Sequence, residues 1–150
     1  MTTRCSECGA IFAGEETCTD RFNVTQSREF ENPAYFRVHH LSVPCYLLQH
    51  NRYARQGWFA ARRLLHDIVS LNLSQEEAYR RSTTMLDNRQ RQWQFTKGAK
   101  LNEVQSIVWR WTLADVRFER AEQYCGDVQQ WVKAVLDDTA PLVQARNASA

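Results

Sequence analysis

Ala114-Asp-Val-Arg-Phe118-Glu-Arg-Ala121-Glu-Gln-Tyr-Cys125-Gly-Asp-Val128-Gln-Gln-Trp-Val132-Lys-Ala-Val135-Leu136-Asp137 decides the fold class. Phe118, Ala121, Cys125, Val128, Val132, Val135 and Leu136 recur at steps of three and four residues. A helix turns once per about 3.6 residues, so these side chains line one face. The spacing predicts an amphipathic helix over 114–137.

Working outward, Trp58, Ala61, Leu65, Ile68 and Val69 repeat the same rhythm and predict a helix over 57–71. Ser74-Gln-Glu-Glu77 is a capping box, with the hydroxyl covering a free N–H at the start of a helix running to Leu86. Residues 88–103, with Trp93-Gln94-Phe95, read as a loop with a short hairpin. Upstream, 19–31 is expected to be helical, carrying Phe22 and Phe30. Pro33 fits the start of a second helix, with Phe36, His40 and Leu41 on one face. Pro44 lacks the N–H that a helix interior needs, so it should break the run and open a short helix over 45–51. The expectation is a mainly α fold: a bundle of four to five helices with a small N-terminal zinc-knuckle module. The chain reads as a single domain over 1–150. Residues 1–18 form the cysteine-bearing metal module, 19–137 the helical body, and 138–150, with Pro141, a frayed tail.

The 150 residues are 43% hydrophobic and 24% charged, with 5 Gly and 3 Pro. That composition is ordinary for a globular domain and poor for an all-β fold full of tight turns. The net charge of +2 implies no polyanionic partner by itself. Its distribution is uneven, however: residues 51–100 hold 10 basic and 4 acidic side chains, and each flanking third is mildly acidic. No stretch reaches the roughly 18 apolar residues of a membrane span. The first residues lack a secretory signal's apolar core, so a cytoplasmic protein with reduced or metal-bound cysteines is expected.

Cys5-Ser-Glu-Cys8-Gly9 carries the strongest chemistry. Two thiolates two residues apart can grip one zinc from a tight turn, and structural zinc takes four such ligands. Cys18 is the nearest third ligand. His39, His40, Cys45 and His50 are candidates for the fourth, with His40 preferred because it precedes Pro44, where a helix end could present it. A redox pair of the thioredoxin kind would need the C-x-x-C between a strand and a helix. Haem attachment is excluded because Gly9 stands where a histidine would be.

All four histidines lie between residues 39 and 66. Tyr46 and His50 share a face if 45–51 is helical. Either Tyr46, Gln49 and His50 form a buried hydrogen-bonded network, or His50, His66 and Asp115 assemble a second metal or acid–base site. Arg52, Arg55, Arg62, Arg63, Arg80, Arg81, Arg89 and Arg91, near Trp93, read as solvated helix faces or as a phosphate-binding patch. The acidic thirds are expected to pair with them, within the chain or across a homodimer. Trp109, Trp111 and Trp131 read as core or interface residues, with a ligand pocket as the other option.

The run Phe36-Arg-Val38-His39-His40-Leu41-Ser-Val43-Pro44-Cys45-Tyr46-Leu-Leu-Gln49-His50-Asn-Arg-Tyr53, with Cys5-x-x-Cys8-Gly9 and Trp111-Thr-Leu-Ala-Asp115-Val-Arg117, resembles an uncharacterised bacterial family, a domain of unknown function. Its pattern is an N-terminal C-x-x-C-G, a further Cys and a V-H-x-L-x-V-x-x-Y-x-x-Q-H block, here over 5–137. The resemblance ranks Cys5, Cys8, Cys18, Tyr46, Gln49 and His50, with His40 of the histidine pair, as the family's positions. It implies V-D-A-Y in many relatives where Val43-Pro44-Cys45-Tyr46 stands. No role can rest on a carboxylate at position 44, and Cys45 is disfavoured as a ligand. It transfers no activity.

Three functions compete. The first is a zinc-binding helical protein whose structural metal is held by Cys5, Cys8, Cys18 and His40, acting through a protein partner. The second is a metalloenzyme with an open coordination position and His50 or His66 as acid–base group. The third is a nucleic-acid binder using the central arginines. Walker A, G-x-G-x-x-G, G-x-S-x-G and H-E-x-x-H motifs are absent.

Overall fold

The computed structural model describes residues 1–86 and 97–149, with Met85 and Leu86 described by backbone alone. The fold is mainly α, with six helices among the described residues and a small cysteine cluster at the N-terminus. A two-stranded antiparallel hairpin, β1 (Thr2–Arg4) and β2 (Ile11–Ala13), opens the chain. The helices are α1 (Cys18–Glu31), α2 (Pro33–Phe36), α3 (His39–Gln49), α4 (Arg55–Ser70), α5 (Gln75–Leu86) and α6 (Ala121–Ser149). Short 3-10 turns occupy Asn102–Ser106 and Leu113–Asp115. Of the loop expected over 88–103, residues 88–96 lie outside the described part, as do Arg89, Arg91 and Trp93. No described helix is long and apolar enough to cross a membrane.

Several boundaries follow from local chemistry. Thr17 caps α1 by accepting from Asp20 N at 3.1 Å while the Asp20 carboxylate accepts from Thr17 N at 3.0 Å. Asn32 caps α2 ahead of Pro33, whose fixed φ suits a first helical turn. Ser74 Oγ accepts from Glu77 N at 3.1 Å, as its capping box predicts. α4 begins two residues before the expected 57, because Arg55 N finds an acceptor in Ala99 O at 2.8 Å.

Two prolines depart from expectation. Pro44 lies inside α3 rather than breaking it. It forgoes one bond to the His40 carbonyl, and burial of Leu41, Cys45, Tyr46 and Leu48 along the same helix outweighs that loss. Pro141 likewise lies inside α6, and the tail expected to fray is helical to Ser149. Leu142 and Val143 pack on the core, and the Arg146 guanidinium lies 4.3 Å from the centre of the Phe59 ring. At its other end α6 starts only at Ala121. The Thr112–Asp115 capping box instead closes a 3-10 turn over part of the segment expected to be helical.

The core gathers around α3, which packs against α1, α4, α5 and α6. Trp58, Leu65, Tyr124, Trp131 and Leu48 are fully buried. The expected stripe of α4 holds at Trp58, Ala61, Leu65 and Ile68, whereas Val69 is exposed. Phe30, expected on α1, is also largely exposed. The C-terminus of α3 is densely bonded. Trp58 Nε1 donates to Leu48 O at 3.2 Å, Gln49 Nε2 donates to Trp111 O at 2.7 Å, and Gln49 Oε1 accepts from Trp131 Nε1 at 3.1 Å. Asn51, at φ 53°, turns the chain in the left-handed region and donates to Leu101 O at 3.1 Å.

Candidate metal centre

The C-x-x-C sits at the turn of the β1–β2 hairpin. Cys5 N donates to Ala10 O at 2.8 Å and Gly9 N to Cys5 O at 2.9 Å, which curls both sulfurs to one side. Gly9 makes the curl at φ 80°, a conformation L side chains rarely adopt. A thioredoxin-like pair would lie between a strand and a helix, whereas this one lies between two strands.

Cys18 is the first residue of α1. His50 caps the other end of the site from the C-terminus of α3. One ligand atom from each of Cys5, Cys8, Cys18 and His50 lies within 4.8 Å of all the others. Cys8 Sγ is 3.5 Å from Cys18 Sγ, and Cys5 Sγ is 3.7 Å from His50 Nε2. A zinc tetrahedron with Zn–S of about 2.3 Å and Zn–N of about 2.0 Å has edges of roughly 3.5–3.8 Å, so these spacings fit.

The surroundings aim the imidazole. His50 Nδ1 donates to Tyr46 O at 2.8 Å, which leaves Nε2 bare toward the sulfurs. The Tyr46 ring stacks on His50 at 4.1 Å and on Phe22 of α1 at 3.9 Å. Its hydroxyl is 3.3 Å from Thr19 Oγ1. Arg52 grips Glu7 of the hairpin turn with two bonds of 2.7 and 2.8 Å and also donates to His50 O at 2.9 Å. The Cys8 thiol is held down to about 4, chiefly by the hydrogen bond from the Cys18 thiol, and its burial opposes this. Cys18 is correspondingly pushed up, because it donates to Cys8. A divalent ion bound here would take all three cysteines as thiolates.

The imidazole in the cluster is His50, one of the four candidates, and not the favoured His40. His40 lies in the first turn of α3 with its Nδ1 buried and unpartnered. Cys45 is fully buried elsewhere in α3. Gln49 and Tyr46 take part in the bonding just described. His66 and Asp115 do not join His50: His66 is exposed on α4 with Nδ1 3.7 Å from Asp67, and Asp115 caps Thr112 N at 2.8 Å. Among the described residues the Cys3His group is the single such cluster.

A family model matches residues 3–140. The chain belongs to DUF5946, a family of unknown function. The match takes in the four cluster residues together with most of the hairpin and of the helical body. Comparison with curated proteins and with solved structures finds no match.

The arginines separate. Arg52 serves the hairpin latch, Arg81 lies 3.5 Å from Asp67, and Arg55 lies 3.8 Å from Glu103. Arg62 is buried and donates to Thr139 Oγ1 at 3.1 Å and Leu136 O at 3.0 Å. Trp131 is core, as expected. Trp109 Nε1 and Trp111 Nε1 are buried without partners.

The residue missed by sequence reading is Glu29. It is 1% exposed, and its carboxylate accepts from Tyr124 Oη, from Ser42 Oγ at 2.7 Å and from His39 Nδ1 at 2.7 Å. A signal existed: Cys18, Phe22, Thr25 and Glu29 follow one another at steps of four, three and four along α1.

Proposed function

We propose that Cys5, Cys8, Cys18 and His50 hold one zinc ion in a closed structural site that fastens the hairpin to α1 and α3, and that the domain acts through a binding partner. The observation carrying this is the convergence of four deprotonatable ligands with an imidazole aimed by its own helix carbonyl. Three soft thiolates and one imidazole in a tetrahedral arrangement suit zinc. Four protein ligands complete the shell, so no coordination position is left for a reacting water. Thiolates held for a metal rather than paired as disulfides suit a reducing, cytoplasmic setting.

Metal analysis of freshly isolated, never-chelated protein tests the reading. One zinc per chain is expected, lost in Cys8→Ser. The cobalt-substituted protein should give a four-coordinate spectrum unmoved by added azide. A metal-free, fully folded isolate would overturn the structural site, and an azide-responsive spectrum would replace it with an open, enzyme-like one.

A further inference from the structure

A second constellation is built from α4 and the end of α6 and shares no residue with the cysteine cluster. Phe59, Arg62, Arg63 and His66 follow one another at steps of three, one and three along α4, so they lie on one face of that helix. Val143 and Arg146 lie about one turn apart near the end of α6. All six line a groove of about 690 Å³ between the two helices.

The groove holds a buried charge. Arg62 is 8% exposed. Its Nε donates to Thr139 Oγ1 at 3.1 Å and its Nη2 to Leu136 O at 3.0 Å, so α6 fixes the guanidinium with a neutral hydroxyl and a carbonyl. No carboxylate meets it. Arg52, Arg110 and Arg117 each have an acid beside them that raises their pKa, whereas burial alone acts on Arg62 and lowers it. The remaining nitrogen, Nη1, makes no hydrogen bond with the described residues and is not sealed from solvent. Buried charges in folded proteins are paired, so this one lacks its counter-ion.

The rest of the lining has the same sign. Arg146 lies over the Phe59 ring, and neither Arg146 nor Arg63 forms an ion pair among the described residues. Asp67 is the one acid in the lining, and Arg81 of α5 already lies 3.5 Å from it, with His66 Nδ1 at 3.7 Å. Three arginines against one engaged acid leave a surplus that matches a dianion better than a carboxylate. Planar guanidinium forks fit phosphate oxygens. Arg52 and Arg55 have acid partners elsewhere, so the unpaired arginines gather at one concavity instead of forming a track for a polyanion.

We propose that this groove binds the dianionic phosphate of a small phosphomonoester, with Arg62, Arg63 and Arg146 donating to its oxygens and Phe59 and Val143 offering apolar surface to the organic part.

Phenyl phosphate and phenol, which differ in the phosphate, are the probes. They are titrated at fixed ionic strength into unchelated protein while the arginine Nε–H signals are followed by ¹H–¹⁵N correlation. Phenyl phosphate should shift the Arg62 signal and saturate in the millimolar range, and phenol should leave it unmoved. Arg63→Gln and Arg146→Gln, both at exposed positions, should each weaken phenyl phosphate about tenfold, the value of one charge-assisted hydrogen bond. Arg120→Gln, which removes the same charge at the start of α6, should not. Arg62→Met should abolish binding with near-ultraviolet circular dichroism retained, and the two exposed variants carry the test if that chain does not fold. No saturable shift at Arg62, an equal response to phenol, or an equal loss in Arg120→Gln would overturn the proposal. So would a short thymidine oligonucleotide that binds more tightly than phenyl phosphate and weakens alike in Arg120→Gln and Arg146→Gln, since that is the behaviour of a general polyanion surface.

Discussion

At the scale of single residues, His50 and His40 are ten positions apart on one helix, yet only His50 faces sulfur. His50→Gln should lower metal content and raise the rate of zinc transfer to a chelating dye, whereas His40→Gln should retain the metal. A chain whose metal follows His40 would refute the assignment. Gln49 gives a sharper stability test. Gln49→Leu leaves the Trp131 indole N–H and the Trp111 carbonyl without partners, and two such losses cost about 3 kcal/mol. Urea unfolding should show this as a lower midpoint. Neither outcome could have been ranked from sequence. A histidine's type names it as a ligand, but which of four histidines reaches the hairpin depends on where α3 starts and on the carbonyl its ring finds. Glu29 was hidden for a related reason: acids are assumed to face water, and only its place on a buried stripe marked it otherwise.

At the scale of elements, periodicity located α4 well and the body of α6 correctly, because packing and propensity agree there, and the Ser74 capping box located α5. It failed where proline was taken as punctuation. Pro44 and Pro141 each forfeit one backbone bond, and neighbouring apolar side chains hold the helix through the gap. The start of α6 was misplaced because Asp127 draws the preceding segment into a different shape. Arg117 donates to Asp127 from its backbone N at 2.9 Å and from its guanidinium at 2.9 and 3.1 Å. The Arg117 guanidinium holds the Asp127 carboxyl below the usual range. A depressed carboxyl stabilises the fold above its unfolded value of about 4, and that contribution is lost as the pH falls through the lower folded value. Arg117 is mostly exposed, which screens the pair, so Asp127→Asn should cost about 0.5–1 kcal/mol at neutral pH. Thermal melts should show the gap closing in acid. A difference independent of pH would mean that the charge is not what matters.

For the molecule as a whole, the fold class and three of the four cluster residues were legible, since cysteine spacing and helical rhythm are local properties. The docking of the hairpin was not, because it is a contact between distant parts of the chain. The hairpin brings only Cys8, Ala10 and Phe12 into the core, too little to hold it without the cluster. Chelation should therefore release it first. Limited trypsin digestion of chelated protein should cut at Arg4 ahead of the helical body, with far-ultraviolet helicity largely preserved. Simultaneous loss of helicity and hairpin would show one cooperative unit instead.

The bonds from Trp58 and Trp131 to residues 48 and 49 have a practical corollary. Two indoles are anchored within two residues of the imidazole that meets the sulfurs. Their emission should change colour and yield as the ion departs, so the native chain serves as its own unlabelled optical gauge of occupancy.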